Sequence, residues 1–231
     1  MKNIIIANWK CNPENLEKAG ELLAKIKDKI SDLSWSGKID VVICPPFPYI
    51  ACLNMEGTDI KLGAQDCFWE DKGAYTGEVS PLMLEDIGCK YVIIGHSERR
   101  KYQKETDQMI NSKVKASLLR GLKTVLCIEG SSQIKDDLKD VSKESMGNLI
   151  LAFEPIFAIG TGKPCSVDLA LKENTEIRKI IGDSLPILYG GSVNSSNAKD
   201  YIEKANYNGL LIGGASLNPE EFFKIIASLE G

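Results

Sequence analysis

Eight short apolar runs recur along this chain, and their spacing constrains the fold more than any other feature. The runs lie at residues 3–7, 40–44, 60–64, 91–94, 124–128, 149–153, 186–189 and 209–212. They are rich in Val, Ile and Leu and are continuous rather than alternating, which is typical of strands that are covered on both faces. We therefore predict eight parallel strands.

Helix-like stretches separate these runs. The clearest covers residues 13–30, where apolar side chains fall on one helical face: Leu16, Ala19, Leu22, Leu23, Ile26 and Ile30. Asn12 is placed to cap this helix, and Pro13 would take the first helical position. Further helices are predicted at residues 81–87, 106–119, 167–181, 196–204 and 219–229.

Two α/β architectures fit this alternation. One is a closed (β/α)8 barrel with outer helices, a fold of about 250 residues. The other is an open doubly wound sheet, but no GxGxxG motif follows the first strand. Since no linker-like or low-complexity segment divides the chain, we predict a single barrel domain over residues 1–231.

Composition excludes several classes of function. The 231 residues are 43% hydrophobic and 26% charged, with a formal net charge of -4, and Lys and Arg are scattered among the acids. We expect no nucleic-acid partner, because such proteins gather basic residues into a patch. The apolar runs are too short for a signal peptide or a membrane span, so we expect a cytoplasmic protein without membrane contact.

Cysteine and histidine usage bears on metals and disulfides. The seven cysteines include no CxxC pair, and their odd number cannot pair completely within one chain. His96 is the one histidine, which excludes a zinc site built on several imidazoles. We expect reduced thiols, no structural metal and no cofactor.

Polar residues stand directly after several predicted strands. Asn8 and Lys10 follow the first strand, His96 follows the fourth, and Glu154 follows the sixth. In a barrel these positions converge on one face, where barrel enzymes carry their active sites. Taken alone, each of these residue types is more often solvated or structural than functional, and it is their joint position that favours a functional role.

Glycine-rich turns follow the last two strands, at 190–192 and 213–214. Their backbone N–H groups could hold a phosphate without a metal, although tight turns would use the same residues. The stretch AFEPIFAIGTGK (152–163) places Glu154 beside a proline and a small-residue loop. We interpret 155–157 as a hinge and 158–162 as the tip of a lid that removes water from the acid; Lys163 would begin the second hinge.

Six segments together resemble the ordered motifs of the triosephosphate isomerase family. They are NWKCN (8–12), GAYTGEVS (73–80), IIGHSERR (93–100), AFEPIFAIGTGK (152–163), YGGSV (189–193) and IGGASL (212–217). The resemblance spans nearly the whole chain and implies a TIM barrel. It also implies a cofactor-free, metal-independent enzyme of glycolysis and gluconeogenesis, which interconverts dihydroxyacetone phosphate and D-glyceraldehyde 3-phosphate as a homodimer.

The resemblance also implies roles for single residues. Glu154 would be the catalytic base, His96 the electrophile, and Lys10 the cation that stabilises an enediolate, with Asn8 beside it. The phosphate would bind Gly160, Ser192, Gly213 and Gly214, and the supporting residues would be Glu98, Tyr189 and Thr76. Thr76 would reach the partner's active site from the 73–79 loop.

Elementary chemistry explains why the reaction needs two of these roles. An aldose–ketose interconversion moves one proton between carbons and another between oxygens, so it needs a base and a donor to the oxygens. Residues 97–99 read as a helix start after His96, and its positive end would keep the imidazole neutral.

The chain departs from the family pattern at four places. Phe157 replaces a hinge tryptophan, Gln103-Lys104 replace a Phe-Gly pair, and the fifth strand ends CIEGSS instead of CIGE. Segment 129–148 is shorter than in typical members, so we predict a shortened helical layer between strands five and six. Because this layer lies outside the barrel, we expect it to affect stability and assembly more than chemistry.

Two other functions share the predicted fold. A Schiff-base aldolase would use Lys10 as nucleophile, which requires an apolar or cation-crowded setting, and borohydride trapping would detect it. A phosphate-binding barrel without catalysis is the second alternative, and the presence of Lys10, His96 and Glu154 argues against it.

Overall fold

The apolar runs form a closed barrel of parallel strands in the computed structural model, which describes residues 2–31, 33, 35 and 37–229. Each strand pairs with its neighbour in sequence, and β1 pairs with β8 to close the barrel. The strands are β1 (Asn3–Asn8), β2 (Ile39–Cys44), β3 (Lys61–Ala64), β4 (Tyr91–Ile94), β5 (Lys123–Ile128), β6 (Leu149–Phe153), β7 (Ile187–Gly190) and β8 (Gly209–Ile212). The predicted closed barrel is confirmed, and the open sheet is excluded.

Both faces of the strands are buried, which explains why the apolar runs do not alternate. One set of strand side chains fills the barrel interior, including Ile6, Tyr91 and Val125. The other set packs outward under the helices in a larger apolar cluster. At the closing pair, a Cβ on Gly209 would lie 2.0 Å from the carbonyl oxygen of Ile4, so the barrel can close there only on glycine.

The helices surround the barrel. They are α1 (Leu16–Ser31), α2 (Phe47–Ile50), α3 (Pro81–Asp86), α4 (Ser97–Tyr102), α5 (Asp107–Leu119), α6 (Ile134–Asp137), α7 (Val167–Ile181), α8 (Ala198–Glu203) and α9 (Pro219–Ala227). No helix among the described residues is long and apolar enough to cross a membrane.

The predicted start of α1 is wrong. The helix begins at Leu16 and not at Pro13, because Asn15 and not Asn12 serves its first turn. The side chain of Asn15 accepts a hydrogen bond from the amide of Lys18 at 2.9 Å, which satisfies one of the free N–H groups of a helix start.

The layer between β5 and β6 is short, as predicted. It contains a 3-10 turn at Ser131–Gln133, the four-residue α6, and a second 3-10 turn at Ser145–Asn148. Ile134 and Asp137 of α6 are nevertheless buried, so the segment packs closely on the barrel.

Candidate active site

Lys10 lies beyond the end of β1 in an unusual backbone conformation. Its φ is 55°, in the left-handed region that a residue with a side chain seldom adopts. The side-chain oxygen of Asn8 accepts a hydrogen bond from the Lys10 amide at 3.0 Å. The Lys10 ammonium donates to Oε1 of Glu98 at 2.5 Å. Asn8 therefore holds the backbone of Lys10, and Glu98 fixes the position of its ammonium group.

Gln65 also holds Lys10, and sequence reasoning missed it. Its side-chain amide donates to the carbonyl oxygens of Lys10 at 2.8 Å and of Cys44 at 2.9 Å. Gln65 directly follows β3, so the rule that identified Asn8 and His96 as polar residues after strands would have found it.

Glu154 and His96 meet across the top of the barrel. Glu154 follows β6 with 2% of its surface exposed, and His96 follows β4 with 5% exposed. Nε2 of His96 lies 3.0 Å from Oε1 of Glu154. The amide of Ser97 donates to Oε2 of Glu154 at 3.1 Å. His96 and Ser97, which precede Glu154 by 58 and 57 residues, thus hold its buried carboxylate.

The pKa values of this pair shift in opposite directions. Burial raises the pKa of Glu154, but His96, the Ser97 amide and Lys10 lower it by more, so the pKa lies below its ordinary value. Burial lowers the pKa of His96, but the carboxylate of Glu154 raises it by more. We expected the start of the following helix to lower the pKa of His96. This expectation is wrong for the present arrangement, in which Glu154 touches the ring.

The hydrogen bonds of His96 nevertheless favour a neutral ring. Nδ1 accepts a hydrogen bond from the amide of Glu98 at 3.2 Å, in the first turn of α4. A proton on Nδ1 would abolish this bond. The tautomer assigned from these contacts carries its proton on Nε2, where it donates to Glu154.

Cys127 is a further neighbour of the acid that sequence reasoning did not identify. It is buried at the end of β5. Burial and the adjacent carboxylate of Glu154 both raise the pKa of its thiol well above the ordinary value. A neutral thiol therefore lies beside the charged acid.

Two glycines give space to the charged side chains. A Cβ on Gly190 would lie 3.2 Å from Cγ of Glu154, and a Cβ on Gly213 would lie 3.0 Å from Cε of Lys10. Both contacts are tighter than ordinary packing. The glycine turns thus leave room for the acid and the cation, whatever else their amides bind.

One cavity of about 320 Å³ brings most of the predicted residues together. The charged and polar side chains lie on one part of its wall, and the glycine-rich turns after β7 and β8 lie on another. The predicted site residues that line it are Asn8, Lys10, His96, Glu154, Gly160, Ser192, Gly213 and Gly214.

The other three predicted residues lie outside the lining of this cavity. Glu98 contacts the site through Lys10. Tyr189 is buried, and its hydroxyl contacts the amide of Cys165, just after the 152–163 segment. Thr76 is on the exposed 73–78 part of its loop and lines no part of this cavity in the described chain.

Both ends of the segment after Glu154 are anchored. At its start, the hydroxyl of Ser192 donates to the carbonyl oxygen of Ala158 at 2.6 Å. At its end, the hydroxyl of Tyr189 accepts from the amide of Cys165 at 3.1 Å, and the hydroxyl of Tyr201 donates to the carbonyl oxygen of Cys165 at 2.5 Å. Residues 159–162 project between these anchors, with Gly160 at the cavity.

No group of three or more His, Cys, Asp or Glu side chains among the described residues is arranged to hold a metal ion. The charged groups of the cavity are those of Lys10, Glu154 and, through Lys10, Glu98. Any negative charge that develops on a bound molecule would thus face Lys10.

Comparisons with known proteins identify the family. The family model described as triosephosphate isomerase matches residues 3–229. The triosephosphate isomerase of Fusobacterium nucleatum is 43% identical over 254 residues, covering 98% of this chain and 98% of the relative. That of a Thermoanaerobacter species is 42% identical over 250 residues, covering 96% of this chain and 98% of the relative.

A solved structure agrees with the sequence relatives. The crystal structure of triosephosphate isomerase from Bartonella henselae superposes with a TM-score of 0.84 at 30% sequence identity, and both chains are covered completely. The match extends over the barrel and the loops that carry the cavity. This chain belongs to the triosephosphate isomerase family.

Proposed function

We propose that the chain interconverts dihydroxyacetone phosphate and D-glyceraldehyde 3-phosphate by metal-independent proton transfer through an enediolate. One observation carries the proposal. A buried carboxylate, an imidazole and an ammonium group line the same cavity as two glycine-rich turns. This set supplies a base, a donor to oxygen, a fixed positive charge and backbone amides for a phosphate.

Glu154 is the base in this mechanism. While His96 and Ser97 hold the carboxylate, its pKa is lowered; once those contacts break, burial withholds water from it and makes it a stronger base than a carboxylate in solution. To take a proton from carbon, Glu154 must give up its contacts with Ser97 and His96. That movement frees the Nε2–H of His96, which then donates to the oxygens of the substrate.

Lys10 stabilises the negative charge of the enediolate. Its ammonium group pairs with Glu98, and its backbone is fixed by Asn8 and Gln65. A Schiff-base nucleophile needs an apolar or cation-crowded setting, whereas Lys10 lies beside a carboxylate. The contacts of Lys10 thus favour the isomerase over the aldolase.

The phosphate occupies the opposite part of the cavity. Gly213 and Gly214 follow β8 and Ser192 follows β7, while Gly160 belongs to the lid. Backbone amides can hold a phosphate dianion without a metal. Gly160 lies in the same segment as Glu154, six residues later. A phosphate that binds the Gly160 amide therefore draws this segment closed over the base.

A homodimer is part of the proposal. The loop at 73–79 carries Tyr75 with 45% of its surface exposed, and Met83 nearby in sequence has 50% exposed. Single exposed apolar side chains are ordinary on a protein surface, so the proposal rests on the resemblance of the 73–80 segment to the family motif. In the dimer, Thr76 of one subunit lies at Asn8 and Lys10 of the other.

Two broader predictions belong with the proposal. Residues 1–231 act as one domain, since the first and last strands of the barrel pair with each other. The enzyme is cytoplasmic, as its seven free cysteines favour a reducing compartment.

A coupled assay tests the proposed reaction. Glyceraldehyde 3-phosphate is supplied with a chelator, and dihydroxyacetone phosphate is detected through its reduction by a second enzyme. We expect full activity in chelator. Activity that chelator abolishes and a divalent cation restores would contradict the metal-independent mechanism, and a borohydride-trapped adduct on Lys10 would favour the aldolase.

A further inference from the structure

The short segment between β5 and β6 buries one acid completely. Asp137, at the end of α6, has 0% of its surface exposed. Its Oδ2 accepts a hydrogen bond from Nη2 of Arg100 at 2.6 Å, while Oδ1 has no partner among the described residues. A buried carboxylate oxygen without a partner costs stability, so the side chain needs another explanation.

The backbone around Asp137 is fixed independently of its carboxylate. The side-chain amide of Asn111 donates to the carbonyl oxygens of Asp137 and Lys139, both at 2.9 Å. Ile134 is also buried in the same turn. Loss of the Asp137 charge therefore leaves other contacts that hold α6 in place.

Arg100 connects this acid to the candidate active site. Its Nε donates to the carbonyl oxygen of Gly95 at 3.0 Å, and its Nη2 donates to that of Cys127 at 3.4 Å. Gly95 directly precedes His96, and the thiol of Cys127 lies against Glu154. One planar guanidinium thus touches the backbone on two sides of the catalytic pair.

The turn before His96 is packed directly on that guanidinium. Gly95 has a φ of 72°, and a Cβ there would lie 3.3 Å from Nη2 of Arg100 and 3.3 Å from the carbonyl oxygen of Cys127. Because the fit is close, a displaced guanidinium would displace the turn. The ring of His96 would move with it.

Burial and the neighbouring charge of Arg100 act on the pKa of Asp137 in opposite directions. Asp137 faces Arg100 on α4 and Asp107 on α5. The pKa of Asp137 rises from 3.8 to about 7, because burial and Asp107 raise it by more than Arg100 lowers it. A carboxyl group whose pKa rises on folding binds its proton more tightly in the folded state. Its contribution to stability therefore falls as the pH rises from about 4 to 7.

We propose that Asp137 is a positioning residue, whose carboxylate holds the Arg100 guanidinium against the Gly95 and Cys127 carbonyls and so fixes His96 beside Glu154. The inference rests on the proposed isomerase function. It also revises the expectation that the shortened 129–148 layer affects stability and assembly more than chemistry. The layer is short, but it supplies the counter-charge that reaches the catalytic turn.

The test compares two acid-to-amide variants on the same arginine. Asp137→Asn removes the buried carboxylate, and Asp107→Asn removes an acid that bonds Nη1 of Arg100 with 44% of its side chain exposed. Isomerase kcat and KM are measured at pH 8, below the unfolding temperature of each variant. We expect Asp137→Asn to lower kcat about tenfold or more with KM nearly unchanged, since misplacement of a catalytic group affects the reacting geometry. Asp107→Asn should change either constant by less than about twofold, because the Asp107 side chain is 44% exposed and its ion pair is screened by solvent.

Three outcomes would overturn the proposal. They are an unchanged kcat in folded Asp137→Asn, an equal loss in Asp107→Asn, and a loss that appears in KM instead of kcat. If Asp137→Asn fails to fold, Arg100→Lys replaces it, because lysine keeps the charge but not the planar fork. An unchanged kcat in Arg100→Lys would then overturn the proposal.

A second readout separates this inference from the proposed function. His96 is the one histidine of the chain, so its imidazole proton resonance is unambiguous. We expect the resonance at pH 8 to shift in Asp137→Asn and to stay in place in Asp107→Asn. An inactive wild-type protein would contradict the isomerase function, whereas an unshifted resonance in Asp137→Asn would contradict only the positioning role.

Discussion

Asp40 joins the strand ends at the side of the barrel opposite the cavity. Its Oδ1 lies 2.6 Å from the ammonium groups of both Lys2 and Lys61, and its Oδ2 accepts from the hydroxyl of Tyr91 at 2.8 Å. These groups belong to the starts of four neighbouring strands. The burial of Asp40 raises its pKa, but the lysines and the tyrosine lower it by more, so the pKa lies below the usual range.

Stability should depend on this acid in a pH-dependent way. A carboxyl group with a lowered folded pKa contributes stability above its unfolded pKa of about 3.9, and that contribution is lost as the pH falls through the folded value. We expect Asp40→Asn to lower the free energy of unfolding at pH 7 by about 1–3 kcal/mol. Urea unfolding at pH 7 and pH 3 measures it. A difference between wild type and variant that is as large at pH 3 as at pH 7 would contradict the assignment.

At the residue scale, the sequence predicted which charged and polar residues lie at the site better than it predicted which side chains contact one another. Asn8, Lys10, His96 and Glu154 were found because each follows a strand, and barrel topology brings such positions together. Asp137 could not be found in this way, since the residue types and their order in 129–148 do not distinguish a buried acid from an exposed one. Its burial depends on Arg100, which is 37 residues earlier.

At the scale of elements, apolar runs predicted the strands to within one residue at each end. A strand covered on both faces leaves a direct signature in the sequence, because every position is apolar. The start of a helix leaves a weaker signature in the sequence. Asn12 and Asn15 are equally suitable caps by residue type, and only the path of the chain after β1 decides between them.

The lid is the element whose role is most open to test. Removal of residues 159–162, with the gap closed by a short linker, should leave the barrel folded because the segment lies at its rim. Isomerisation should slow, since Gly160 no longer meets the phosphate and water reaches Glu154.

A shortened lid should also divert the intermediate. When the phosphate is not held in the plane of the carbon skeleton, the electron pair of the enediolate can expel it. The C–O bond to phosphate then breaks, and the remaining enol becomes methylglyoxal. We expect phosphate release per turnover to rise in the shortened enzyme. A constant ratio despite slower isomerisation would mean that the lid binds substrate but does not protect the intermediate.

At the scale of the whole molecule, we expect the surface formed by loop 73–79 and Met83 to be the dimer contact. Sedimentation velocity at the assay concentration should give the mass of a dimer. Met83→Glu places a charge in this surface and should shift the protein toward an inactive monomer. Ile180→Glu is the matched control, because Ile180 is similarly exposed but lies on α7. A fully active monomer would contradict the proposed assembly.

The central claim is that Glu154 moves the proton between the two carbons. Glu154→Gln keeps the size of the side chain and removes the base, and Glu203→Gln makes the same change on the exposed face of α8. The most direct measurement is kcat for both variants, together with their affinity for a phosphate-bearing inhibitor. We predict that Glu154→Gln lowers kcat by about 10²- to 10⁴-fold with little change in inhibitor affinity, and that Glu203→Gln changes neither. A loss of less than about tenfold in Glu154→Gln would show that another group is the base.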